Sequence, residues 1–194
     1  MNPLEILAFL AIIVVIIIVA RIIKSDHANS ITDKVYNRSD FATSKSHNQS
    51  DLDNIFSNVV DFLKSSDVYF RYGKNKKEKD YQQDLDQKLD LLKYKYGYEK
   101  AYEGYKEKQR IDFIINGIIG IEMKVYRGGS QVKKELFYQV SEYGTFCEKM
   151  VALVINLTQE DNSEIGRDIK QKLEEVMDKN NLEVIVKTTI NPPQ

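Results

Sequence analysis

The apolar and polar positions divide the chain into three parts. Leu4 to Ile23, "LEILAFLAIIVVIIIVARII", is almost continuously apolar, and Ile6 to Ala20 within it carries no charge. Twenty helical residues rise about 30 Å, the thickness of a bilayer's hydrocarbon core. From Ser25 to Ser50, "SDHANSITDKVYNRSDFATSKSHNQS", polar residues dominate and large apolar ones are few. Such a composition makes a flexible tether. Beyond Asp51 the pattern is that of a folded domain. Leu52, Ile55, Phe56, Val59, Phe62 and Leu63 recur at helical spacing behind a possible Asp51 cap. Tyr81, Leu85, Leu89 and Leu92 mark a second helix over 77–94. Apolar, β-branched runs then predict strands at 98–105, 110–115 and 118–126, a helix at 132–146, and a wholly apolar strand at 150–157. A helix at 163–179 and a strand at 182–187 complete the series.

The order from the second helix onward is α-β-β-β-α-β-α-β. A helix between a meander strand and a fully apolar strand implies a crossover, so the expectation is an α/β fold with a mixed sheet covered on both faces. The domain organisation reads as 1–24 transmembrane anchor, 25–50 flexible polar linker and 51–190 globular domain. Arg21 and Lys24 follow the apolar run while only Glu5 precedes it, which places the C-terminal body on the cytoplasmic side of the bilayer. A cleaved signal peptide would carry a basic n-region and a small-residue cleavage site, and neither is evident here.

The charge balance changes the picture mainly by exclusion. With 28 basic and 29 acidic residues among 194, no bulk field draws the chain to a polyanion, so any such contact needs a local patch. Candidates are Lys74, Lys76, Lys77 and Lys79, then Lys106, Lys108 and Arg110, then Arg127, Lys133 and Lys134. The tyrosines of "YKYGYEKAYEGY" could stack on bases, although the strand and helix-end positions they hold favour packing. Cys147 is the single cysteine, which excludes an internal disulfide framework. His27 and His47, the only histidines, lie in the polar tether, and there is no CxxC, HExxH or P-loop. A zinc centre or a Ser-His-Asp triad is therefore not indicated.

Candidate chemistry lies in "QRIDFIINGIIGIEMKVY", Gln109 to Tyr126, where Asp112, Glu122 and Lys124 interrupt buried-strand sequence. Burying charge is expensive, so these residues call for an explanation. Glu122 and Lys124 are two apart and share a strand face. A two-residue turn at Asn116-Gly117 would set Asp112 on the opposite face. A three-residue loop, Ile115-Asn116-Gly117, pairs Ile114 with Ile118 and brings all three together, and this second turn is the expectation. Two carboxylates beside a lysine offer the oxygen ligands that Mg²⁺ or Mn²⁺ takes. The lysine could orient or stabilise an attacking hydroxide and offset charge developing on a phosphate, as phosphodiester hydrolysis requires.

Asp112 followed by Glu122-x-Lys124 on the next strand of a hairpin resembles the PD-(D/E)xK nuclease superfamily, with Ile111 where the name-giving proline would stand. The α-β-β-β-α-β order around these residues is similar to that restriction-endonuclease-like core, and the resemblance covers about 77–157. "QVSEY" looks like the QxxxY motif of RecB-type members, in which Gln139 and Tyr143 would help position the active site and the nucleic acid. The resemblance further implies a helix acid as metal ligand, for which Glu78 fits best and Asp80 and Asp84 remain open. It implies metal binding by Asp112, Glu122 and Glu78, assistance to the nucleophile from Lys124, and DNA rather than RNA as substrate. The alternative is a catalytically inactive, membrane-tethered binding or adaptor module that keeps the nuclease fold.

Overall fold

A computed structural model describes residues 49–106 and 109–190 of the chain. The expected membrane anchor, nearly all of the expected tether with His27 and His47, and Lys108 lie outside these residues. Among the described residues no helix is long and apolar enough to cross a membrane.

The domain runs α1 Gln49–Lys64, α2 Glu78–Tyr96, β1 Lys100–Lys106, β2 Gln109–Ile115, β3 Ile119–Tyr126, α3 Gln131–Tyr143, β4 Lys149–Asn156, α4 Asn162–Leu173 and β5 Leu182–Thr188. This is the expected α/β order with shifted boundaries. Helix α1 starts at Gln49, inside the expected linker, so Asp51 belongs to its first turn and does not cap it. Helix α2 stops where Gly97 adopts φ 71°, a left-handed C-cap that glycine takes without a Cβ clash. Helix α3 ends at Tyr143 rather than 146, because the N–H groups of Phe146 and Cys147 fold back onto the Tyr143 carbonyl. Helix α4 is capped by Asp161, whose carboxylate accepts from the Ser163 and Glu164 amides, and it gives way to turns after Leu173 instead of reaching 179.

The five strands lie in the order β1-β2-β3-β4-β5. β1, β2 and β3 form an antiparallel meander, and β3, β4 and β5 are parallel neighbours joined through α3 and α4. On one face Phe113, Ile121, Met123 and Leu153 pack against Val59, Leu63, Tyr81, Leu85 and Leu89 of α1 and α2. On the other, Ile114, Ala152 and Val154 pack against Leu136, Val140, Ile165 and Ile169 of α3 and α4. Every residue of β3 and β4 is buried, which is why those strands read as near-continuous apolar runs. Each such large apolar side chain contributes about 1.5–3 kcal/mol of transfer free energy.

The β2–β3 turn differs from the expected one. Asn116 and Gly117 take φ 49° and 71°, and the Ile118 N–H closes onto the Ile115 carbonyl at 3.1 Å. The Ile118 carbonyl is taken by the Glu148 and Lys149 amides at the entry to β4. Ile118 therefore stays out of the hairpin ladder, the connection becomes Asn116-Gly117-Ile118, and Ile115 pairs with Ile119 and Ile114 with Gly120. The register is displaced by two from the expected one, and an even displacement leaves the facing of the side chains unchanged.

Candidate active site

Strands β2 and β3 separate at the charged positions. Their ladder ends at Phe113↔Ile121, although β2 stays paired with β1 through Gly104↔Ile111 and β3 with β4 as far as Tyr126↔Asn156. One step beyond the last pair, Asp112 stands opposite Glu122. Its Oδ2 accepts the Met123 N–H at 2.8 Å, in place of a ladder carbonyl. The Lys124 ammonium lies 2.8 Å from Glu122 Oε1, 3.1 Å from Glu78 Oε1 and 3.2 Å from the Met123 carbonyl.

Two helices close the opening. From the first turns of α2, Glu78 Oε2 accepts the Val125 N–H at 3.2 Å and Gln82 Nε2 donates to Asp112 Oδ1 at 2.8 Å. Of the other helix acids, Asp80 caps α2 by accepting the Lys77 N–H, and Asp84 pairs with Lys76 at 2.6 Å. Glu78 is thus the helix acid that reaches the cluster. From α3, the Tyr143 hydroxyl donates to the Arg110 carbonyl at 2.7 Å, and the Gln139 side chain hydrogen-bonds to Tyr143. The structure brings together Asp112, Glu122, Lys124, Glu78, Tyr143 and Gln139. Gln82 joins them without a sequence signal having singled it out, because Gln83 and Asp84 share its place between Tyr81 and Leu85 and only its burial sets it apart.

Burial sets the electrostatics. Glu122 is 1% exposed, and burial reinforced by the Asp112 charge pushes its carboxyl up to about 7 despite Lys124. Asp112 is raised by burial as well. Burial works to lower Lys124, but Glu122, Glu78 and Asp112 together hold it above its ordinary value, so it stays charged. Burial and the nearby Glu122 carboxylate push Tyr143 up to about 12, so its hydroxyl stays a neutral donor even in alkaline solution.

Glu78, Asp112 and Glu122 set three acids against one ammonium. Among the described residues Glu122 Oε2 and Gln139 Oε1 are buried acceptors without a donor, and such atoms are costly unless something pairs them. As the side chains stand, no group of three or more His, Cys, Asp or Glu among the described residues is arranged to hold a metal ion. The ammonium lies between Glu78 and Glu122 and engages an oxygen of each. The donor chemistry, carboxylates with one unpartnered oxygen, fits a hard divalent cation.

Of the basic groups, the loop before α2 is tied to the end of β3 by Arg127, whose Nη2 donates to the Lys76 carbonyl at 2.9 Å. Lys74 and Lys77 of this loop are exposed, as is Lys79 in the first turn of α2. Lys133 is engaged by Asp168 at 2.7 Å. The tyrosines mostly pack: Tyr96 stacks on Tyr98 and Tyr102 on Phe113, each pair with centroids 5.2 Å apart, while Tyr94 is 92% exposed. A groove of about 650 Å³ lies elsewhere, between α3 and α4, and its Lys133 and Lys172 are both paired with carboxylates.

Comparison of the chain with family models, with curated proteins and with solved structures gives no match.

Proposed function

We propose that the domain is a metal-dependent nuclease of PD-(D/E)xK type, with a restriction-endonuclease-like core, that hydrolyses phosphodiester bonds of nucleic acid, DNA before RNA. The observation that carries this reading is the convergence of Asp112, Glu122 and Lys124 where β2 and β3 part, with Glu78 reaching in from α2. Asp112, Glu122 and Glu78 would hold Mg²⁺ or Mn²⁺. Such an ion, when bound, polarises a phosphate and acidifies a water. Lys124 holds a positive charge beside the carboxylates, where it offsets negative charge developing on the phosphate and steadies the attacking oxygen. Tyr143 and Gln139 brace the N-terminal half of β2 through the Arg110 carbonyl and so keep Asp112 in place. The basic loop tied down by Arg127 offers backbone phosphates a local positive surface in a nearly neutral chain. In this reading residues 4–23 hold the domain at a bilayer, on the cytoplasmic side.

A second reading, an inactive tethered binding module, is favoured by the engagement of Glu78 and Glu122 with Lys124 itself. One experiment separates the two. The full chain in mild detergent is incubated with linear, supercoiled and branched DNA and with RNA, in Mg²⁺ or EDTA. Nuclease action requires cleavage in Mg²⁺ that EDTA abolishes and that Lys124→Ala and Asp112→Asn lose. Cleavage surviving EDTA or persisting in Lys124→Ala refutes the mechanism, and binding without cleavage establishes the module.

A further inference from the structure

We propose that Gln82 is a positioning residue of this site, fixing the Asp112 carboxylate for cation binding. The inference rests on the cation-binding reading above and adds to it a residue that the motif resemblance does not assign. Gln82 is 8% exposed and lies between Tyr81 and Leu85, both fully buried, on the face of α2 that packs against the sheet. It follows Glu78 by one helical turn, so the two side chains project together toward the opening between β2 and β3. Glu78 goes to Lys124 and the Val125 amide, and Gln82 to Asp112 Oδ1 at 2.8 Å.

The chemistry of that contact is specific. Asp112 stands where β2 has left the ladder with β3 while staying paired with β1, so on the β3 side no regular backbone pairing fixes its carboxylate. Two donors fix it instead: the Met123 amide on Oδ2 and the Gln82 amide on Oδ1. Each carboxylate oxygen has further lone-pair capacity beyond a single hydrogen bond, so both remain open to a cation. Because Gln82 is neutral, it orients the carboxylate without cancelling its charge. A lysine there would be a second competitor for the ion, and an acid would repel Asp112. Hydrogen-bond partners of metal-binding carboxylates characteristically change affinity by about 10- to 100-fold when removed.

The test is Mn²⁺ binding to the full chain in detergent without nucleic acid, followed by electron paramagnetic resonance. The proteins are wild type, Gln82→Met, Asp112→Asn and the double variant, with thermal unfolding recorded for each. Gln82→Met keeps the side chain's volume and removes its donor. It should weaken Mn²⁺ binding about tenfold or more, and make no further difference once Asp112 is Asn. Gln82→Asn keeps an amide one methylene too short to reach Asp112 and should give the same loss, so that a fold lost in one variant is read in the other. Unchanged affinity in both variants overturns the proposal, as does an equal loss in the wild-type and Asp112→Asn backgrounds. A wild type that binds no Mn²⁺ overturns it together with the cation site. Coupling between Gln82 and Asp112 in a protein that cleaves nothing upholds the positioning role and sinks the nuclease reading alone.

Discussion

Lys124→Met should destabilise the domain in a way that depends on pH, and the dependence identifies the cause. The ammonium is 6% exposed and contacts Glu122, Glu78 and the Met123 carbonyl within 3.2 Å. Removing one member of a buried ion pair costs about 3–5 kcal/mol when the survivor stays charged. Glu122 has a way out, because its carboxyl already lies at about 7 with Lys124 present and must lie higher without it. Taking up a proton caps the penalty at about 1.4 kcal/mol for each pH unit above 7, or about 2 kcal/mol at pH 8.5. At pH 5.5 Glu122 is protonated in both proteins and this part of the penalty vanishes. Thermal unfolding in EDTA should therefore show Lys124→Met melting about 4–8 °C below wild type at pH 8.5 and much closer to it at pH 5.5. Added Mn²⁺ should stabilise the variant more than wild type, since the ion no longer competes with the ammonium. An equal loss of stability at the two pH values, or none at pH 8.5, refutes the account of Lys124 as counter-ion to buried carboxylates.

Four other outcomes follow from the same geometry. In EDTA the wild-type domain should lose about 2–3 kcal/mol of stability as pH rises from 5 to 7, because the raised carboxyl of Glu122 holds a proton in the folded state that the unfolded chain has released. Asp112 acts in the same direction, and Lys124, raised above 10.5, contributes a constant amount across this window; urea titrations that show stability rising would contradict the assignment. Glu78→Gln should raise the Mg²⁺ concentration needed for half-maximal cleavage about tenfold or more, whereas Asp84→Asn leaves it unchanged; equal effects would remove Glu78 from the site. Tyr143→Phe removes the hydroxyl that donates to the Arg110 carbonyl and should cost about 0.5–1.5 kcal/mol in urea unfolding with a lower cleavage rate, and an unaltered rate would leave the hydroxyl a purely structural bond. Gly120→Ala drives a Cβ into the Met150 sulfur and sets it 3.0 Å from that of Cys147, so a loss of about 1–3 kcal/mol is expected, checked by the same unfolding curves.

Much of the architecture was legible because two-sided burial leaves a plain signature. β3 and β4 read as apolar runs, and the helix between them implied their parallel crossover. The hairpin shows where legibility stops. Its parity follows from asking which turn joins the three charges, but its register depends on Ile118, whose carbonyl is captured by the Glu148 and Lys149 amides far along the chain. No local pattern carries that information. The choice among Glu78, Asp80 and Asp84 is similarly open in the sequence; in the structure Glu78 reaches Lys124, while Asp80 sits at the helix cap and Asp84 on Lys76. Gln82 escaped because a glutamine on a helix carries little meaning until its neighbours prove buried.

The imbalance of charge is the feature that favours the proposed cation site over a purely structural cluster. A buried pair kept only for packing or specificity would match one acid to one base, since each extra desolvated charge costs several kcal/mol. Here the buried Glu122 and Asp112, with the partly exposed Glu78, face Lys124, and the Glu122 oxygen not engaged by the lysine finds no donor among the described residues. Protons can relieve such a site, as the raised carboxyls of Asp112 and Glu122 record, and so can a divalent cation. The two forms of relief exclude each other, so Mn²⁺ binding near neutral pH should release protons. Calorimetric titration in buffers of different ionisation enthalpy reads that release directly. Binding with no proton exchange would show that the ion does not occupy the place these carboxylates leave for it.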